Sequence, residues 1–378
     1  VPLPETAALA RRHARLRQTL ESLNLDALVV TTPTNIRYLT NHTGSAGVAV
    51  VAHDAVHLLV DFRYAESVRQ LQSSPSACPG LKVWDVPASY DEALLSCLAA
   101  IAVSTAGFES ADVTVQRFDW WIRTREARSL GVTFRATERA VERQRIVKDA
   151  PEIATLREAA ARLTPVAEAT FAAARAGARE RDVAGVLEQA LRQAGFERPA
   201  FDTIVASGPN SALPHYRAGD RLLTAGDLVV LDFGGVLDGY CSDLTRTVAI
   251  GPPSPEARRI YAAVFDAQQA AIAAVRPGVD ASSIDAAARD VLQQHGLAEA
   301  FGHGTGHGLG LNIHEEPRVG RARADLPSVA LEPGMVFTIE PGAYIPGFGG
   351  VRIEDDVLVT ETGYEVLTSV PHGLLVLG

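Results

Sequence analysis

The sequence predicts an α/β domain followed by an α+β domain with an antiparallel sheet. Three observations carry this. At 378 residues the chain exceeds what one compact core holds. Its first part alternates helix-like and strand-like segments, and from residue 149 onward long alanine-rich helices are separated by strands with turn signals.

Residues 5–23 read as an amphipathic basic helix. They contain no uninterrupted apolar run of the secretory kind, so no signal peptide is expected. ALVVTT (27–32) follows as a buried strand, then VAVVAH (48–53) and VHLLVDF (56–62) as two more. Residues 64–72 and 90–101 read as helices and AGFES (106–110) as a short strand, an alternation that predicts parallel pairing. Asp149-Ala-Pro-Glu152 is a helix start, with Asp as the cap, Pro in the first turn and Glu three residues after the cap. Helices are expected at about 151–175, 180–195, 255–275 and 283–295. The change of texture falls at 140–148 without a low-complexity linker, which gives domains 1–143 and 144–378.

Composition narrows the function. Hydrophobic residues make up 47% of the chain. No run approaches the ~20 apolar residues that span a bilayer, so no membrane partner is expected. A formal charge of −10 speaks against nucleic acid as a partner. Cys78, Cys97 and Cys241 are few, odd in number and lack CxxC spacing, which suits a reducing cytoplasm.

The stretch GHGTGHGLGL (302–311) places glycine at alternate positions, with His303 and His307 in the gaps. As a helix, five glycines would cost roughly 4–5 kcal/mol relative to alanine. As a strand, His303, Thr305, His307 and Leu309 share one face, and the bare face admits a close neighbour. The extended reading is therefore preferred.

Two segments read as hairpins that each carry two acids. In LVVLDFGGVLDGYCSDLTRTV (228–248), a turn centred between Leu237 and Asp238 sets Asp232 opposite Asp243. In MVFTIEPGAYIPGFGGVRIEDDVLVT (335–360), Glu340 and Glu354 are equidistant from Gly347, and Arg352 shares a strand face with Glu354. Like charges directly opposite each other are destabilising, so a shared proton, an arginine or a cation must neutralise them. Four carboxylates and an imidazole suit two divalent cations, with Mn²⁺ or Mg²⁺ favoured by the carboxylates and Zn²⁺ or Co²⁺ admitted by the imidazole. Two cations ~3.5–4 Å apart would hold a shared hydroxide as nucleophile, the pattern of a dinuclear hydrolase.

With those residues assembled, the chain resembles the pita-bread metallopeptidases, specifically the proline-directed branch that contains Xaa-Pro dipeptidase (prolidase) and aminopeptidase P. The matching motifs are SALPHY (211–216), LDFGGVLDGYCSDLTRT (231–247), HGTGHGLGLNIHEEP (303–317), TIEPGAY (338–344) and GVRIEDD (350–356). The resemblance covers the whole length and implies a creatinase-type N-terminal domain before the catalytic one. It implies metal ligands at Asp232, Asp243, His307, Glu340 and Glu354, with Asp243 and Glu354 bridging two cations, manganese first among them, zinc or cobalt as the alternatives. It implies that Glu340 also handles the proton of the nucleophilic water, and that His215 and His314 bind substrate and stabilise the tetrahedral intermediate. His303 matches a histidine on the proline side of the cleft, and Tyr344 and Arg352 match polar residues around the metal shell. A family-like homodimer follows from the same resemblance, while the cytoplasmic location rests on the cysteines.

Methionine aminopeptidase shares the catalytic fold, but the N-terminal domain and the HGTGHG form favour the proline branch. Creatinase would not need five intact ligands, and neither would a catalytically inert interaction module. Within the branch the reading adopted is the dipeptidase, with Xaa-Pro aminopeptidase as the alternative. A dipeptidase asks for a cation to meet the free carboxylate, for which Arg37 and Arg63 are the N-domain candidates.

Overall fold

A computed structural model of the chain describes residues 3–325 and 329–378, which divide into a unit ending at Arg145 and a unit formed by Ile146–Gly378. The first unit is built on a six-stranded sheet. Its order is Leu81–Asp85, Val56–Val60, Val48–Ala52, Ala27–Val30, Thr105–Glu109, Thr133–Thr137. The expectation of parallel pairing needs correction here. Ala27–Val30 runs antiparallel to Val48–Ala52, which runs antiparallel to Val56–Val60, while the remaining neighbours are parallel. Residues 53–55 are too short a link for a crossover, which needs a dozen or more residues, so these two strands close as a hairpin.

The three central strands are buried along their whole length, which is why they read as continuous apolar runs. The two edge strands, LKVWD and TFRAT, expose most of their side chains and carry no such signal. Neither was legible in the sequence, and helices Pro33–Thr40 and Val115–Ala127 were also missed. Trp121 from the latter is fully buried and packs against Phe108 and Phe134 at ring distances of 5.9 and 5.2 Å.

The second unit opens with the expected capping box. The Asp149 carboxylate accepts from the Glu152 N–H, and the Glu152 carboxylate accepts from the Asp149 N–H. Helices Ala150–Ala173 and Glu180–Gln193 form one pair, Pro255–Ala274 and Ala281–Gln294 another. The first pair covers a four-stranded sheet ordered Val376–Leu377, Leu244–Ile250, Leu228–Phe233, Ile204–Ser207. The second covers a five-stranded sheet ordered Glu315–Val319, Gly306–Gly308, Val336–Ile339, Asp355–Val359, Tyr364–Val366. These sheets are antiparallel except where Val376–Leu377 joins in parallel.

Period-two alternation aims the functional side chains. Val229, Leu231 and Phe233 point into the core under the first helix pair, whereas Val230 lies with Ile204 and Ala206 on the opposite face, the face that Asp232 shares. Among the described residues no helix is long and apolar enough to cross a membrane.

Candidate metal centre

The first acid-bearing hairpin differs in register from its expected form. Leu237 pairs with Tyr240 around Asp238-Gly239, and both turn residues have positive φ, 45° and 75°. An Asp-Gly pair meets the demand of a type I′ turn, so the turn centres one residue later than its expected place. Asp232 therefore faces Thr245 rather than Asp243. Asp243, two residues before Thr245, keeps the same face and becomes a diagonal neighbour.

The second hairpin has the expected register. Gly342 pairs with Arg352 and Ile339 with Asp355, which leaves Glu340 facing Glu354 in the gap between the two ladders. The turn is closed at Gly347, with φ 80°.

The histidine strand is shorter than expected: only Gly306–Gly308 lies in a ladder, with a register break between His307 and Gly308. Its glycines are there for close approach. A Cβ on Gly306 would lie 1.8 Å from the Thr338 carbonyl oxygen, and one on Gly308 2.2 Å from that of Glu316. Gly302 has open space around it and lies before the ladder.

These three elements bring their acids and His307 together. Ligand atoms of Asp243, His307 and Glu354 all lie within 4.8 Å of one another. His307 Nε2 is 3.8 Å from Asp243 Oδ2 and 3.7 Å from Glu340 Oε1. Its Nδ1 sits 3.1 Å from the Gly308 carbonyl, which places the proton on Nδ1 and leaves the Nε2 lone pair facing the acids. Asp232 accepts from Arg352, and Glu354 accepts from the Thr245 hydroxyl at 2.6 Å.

The electrostatics show what this cluster lacks. Burial, followed by the charges of Glu354, Asp232, Asp356 and Glu340, pushes Asp243 well above the usual carboxylate range. Burial and the neighbouring Glu340 do the same to Glu354. Glu340 is pushed up to about 8 by burial, with Arg352 opposing. Burial holds His307 neutral, lowering it to about 4. Among the described residues, Asp232 Oδ1 and Asp243 Oδ1 are buried without a hydrogen-bond partner. Without a cation, this cluster must keep protons on groups that ionise readily in water. Divalent cations supply the missing positive charge and the missing partners, so the donor set fits them.

Beside the cluster lies a cleft of about 630 Å³ lined by His215, His303, His307, His314, Arg318, Arg352 and all four acids. Arg352 Nη1 donates to the Tyr344 hydroxyl at 2.8 Å, and that hydroxyl lies 2.9 Å from His303 Nε2. His303 Nδ1 is 2.8 Å from the Gly304 carbonyl, so the chain of donors runs Arg352, Tyr344, His303. Burial lowers His303 to about 4 and raises Tyr344 to about 12, which keeps both neutral. His215 and His314 are exposed at the cleft, and the His314 ring lies 4.3 Å from that of His307.

Sequence reading missed Arg318, whose signal was its position four residues after His314. Among the described residues its guanidinium forms no ion pair. Arg217, the other missed cation, pairs with Asp202 at 3.2 Å. In the first unit Arg63 is committed to Asp61 by two hydrogen bonds of 2.9 and 2.6 Å, and Arg37 is half-buried on helix Pro33–Thr40.

Residues 154–361 match the model of metallopeptidase family M24, and residues 12–147 match the creatinase/prolidase N-terminal domain. A Xaa-Pro dipeptidase of Pyrococcus furiosus is 43% identical over 242 residues, covering 64% of this chain and 68% of that one. Among solved structures, a Xaa-Pro dipeptidase from Bacillus anthracis superposes with a TM-score of 0.91 at 36% identity, covering 98% of this chain and 100% of that one. An X-Pro aminopeptidase from Thermotoga maritima superposes with a TM-score of 0.84 at 32% identity, covering 97% and 99%. The chain therefore belongs to metallopeptidase family M24 and carries that family's creatinase/prolidase-type N-terminal domain.

Proposed function

We propose that the chain hydrolyses the Xaa-Pro bond of dipeptides with two divalent cations, manganese in the first place, held by Asp232, Asp243, His307, Glu340 and Glu354. The observation that carries this is the buried acid cluster with orphaned oxygens on Asp232 and Asp243, open to a cleft of about 630 Å³. Bound cations would polarise the scissile carbonyl and lower the pKa of the attacking water.

The chain's own groups do the rest. Glu340 takes the water proton as water adds to the carbonyl carbon, and delivers it to the proline nitrogen as the C–N bond breaks. His215 and His314 donate to the oxygen that becomes negative in the tetrahedral intermediate. The His303–Tyr344–Arg352 chain fixes the wall of the cleft and the orientation of Asp232.

Dipeptide preference is supported by Arg318, a cleft cation that forms no ion pair among the described residues and would pair with the proline carboxylate. The second reading, release of the first residue from longer Xaa-Pro peptides, is favoured by the likeness to the Thermotoga enzyme. Comparing kcat/KM for Xaa-Pro and Xaa-Pro-Yaa peptides decides between them: a dipeptidase loses activity when a residue is added after proline. A homodimer belongs to the same proposal and is tested by light scattering. So does a cytoplasmic location, supported by three buried free cysteines and tested by cell fractionation.

A further inference from the structure

Behind the cleft, helix Ala281–Gln294 presents Asp285 and Arg289, one turn apart, to the segment that carries His303. Asp285 is almost fully buried. Its Oδ1 accepts from the Thr305 N–H at 3.1 Å and from the Thr305 hydroxyl at 2.8 Å. Arg289 donates to both Asp285 oxygens, to the Phe301 carbonyl at 3.1 Å and to the His303 carbonyl. Its guanidinium also stacks 4.3 Å from the Phe301 ring, whose edge meets the His303 ring at 4.9 Å. Three of the five backbone positions in Phe301–Thr305 are thus held by one ion pair. The far end of that segment leads directly to the acid cluster: the Thr305 carbonyl accepts the Glu340 N–H at 2.7 Å.

We propose that Asp285 and Arg289 are positioning residues that set His303 and the Glu340 backbone for catalysis, an inference that rests on the proposed peptidase reaction. Helix Ala281–Gln294 supplies no residue to the cleft, so the pair acts through the segment it braces. The segment needs such a brace because Gly302 and Gly304 leave its backbone otherwise free to take many conformations. A misplacement of about 1 Å at a reacting group can cost ~10²-fold in rate. On the opposite side the pair borders a second cavity of about 430 Å³, lined also by Phe301 and Arg321, which gives small solutes access to Arg289.

The test is Arg289→Ala in the full-length, metal-loaded protein. We expect kcat for Xaa-Pro to fall about tenfold or more, the scale for loss of an orienting partner, with KM changed less. Hydrogen exchange at the Glu340 amide should accelerate, and millimolar guanidinium, entering the cavity the side chain leaves, should restore both rate and protection. Arg289→Lys, which keeps the charge but cannot span both carbonyls, should fall between. Should Arg289→Ala fail to fold, Thr305→Val removes only the hydroxyl donor to Asp285 and should give the same faster exchange at Glu340 with a smaller loss of kcat. Unchanged exchange at Glu340 together with unchanged kcat in a folded variant overturns the proposal. A wild type inactive on every Xaa-Pro peptide would instead refute the proposed reaction, while the exchange data would still decide whether the brace exists.

Discussion

Two buried arginine–carboxylate pairs flank Glu354, and they are built for opposite ends. On the core side, Asp355 is fully enclosed and saturated: it accepts from Arg246, Gln268, Thr368 and His372 at 2.6–2.7 Å. On the cleft side, Asp232 accepts from Arg352, yet its other oxygen is buried with no partner among the described residues. Burial would raise Asp355, but Arg246 and His372 overcome it and hold the carboxyl below its usual range. Asp243, buried amid the charges of Glu354, Asp232, Asp356 and Glu340, stays well above that range. The two pairs thus divide by surroundings, the saturated one enclosed in the core and the unsaturated one lining the cleft.

The sharpest way to break that comparison is to remove each arginine. Arg246 also donates to the Glu354 carbonyl at 2.5 Å and to the Val370 carbonyl at 2.6 Å, so Arg246→Ala strands a fully buried acid and uncouples the C-terminal segment. Breaking a buried pair from one side costs about 3–5 kcal/mol, so chemical denaturation should register a loss of that size. Arg352→Ala, by contrast, should lower activity far more than stability in the presence of metal, because a cation can take over the neutralisation of Asp232. Equal losses of stability in both variants would erase the distinction.

Next in size are the cleft histidines. His215→Ala and His314→Ala should each reduce kcat by ~10², the usual scale for a lost transition-state donor, and leave metal content unchanged. A variant that lost its metal would make that histidine a ligand. Arg318→Ala should raise KM for Xaa-Pro about tenfold, as loss of a charge-assisted contact of ~1.5 kcal/mol implies, with little effect on tripeptides. Arg63→Ala is the control, its guanidinium being engaged by Asp61.

How much of this was legible in the sequence follows from what sets each feature. Asp243, His307, Glu340 and Glu354 were readable because strand periodicity and glycine spacing constrain them locally. The one-residue error in the Asp238-Gly239 turn arose from centring the hairpin between Leu237 and Asp238 instead of on the pair that tolerates positive φ. Sheet direction in the first unit was misjudged because antiparallel strands buried on both faces look like parallel ones. Asp285 and Arg289 act through contacts that only the folded chain makes, and no local pattern marks them, whereas Arg318 carried a local signal in its spacing from His314.

The smallest expected effect is a pH dependence of the metal-free protein. A group whose folded pKa is raised binds more protons when folded, so stability falls as pH rises through the folded value. Glu340, raised to about 8, and the similarly raised Asp243 and Glu354 act in this sense. His303 and His307, lowered to about 4, act oppositely, their contribution being complete above about 6.5. Chelated protein should therefore lose melting temperature between about pH 6.5 and 8, and metal-loaded protein should not. A metal-free melting temperature that rises across this window would contradict the protonated-cluster account.

The central claim is that the unsaturated face of the acid hairpins holds the catalytic cations. Its most direct test is metal content and Xaa-Pro hydrolysis measured together, on wild type before and after chelation and on Asp243→Asn. The account predicts two divalent ions per active chain, loss of activity on chelation with recovery on adding Mn²⁺, and a folded Asp243→Asn protein depleted in both metal and turnover. Full activity in the metal-free wild type, or in a metal-free Asp243→Asn, would contradict it.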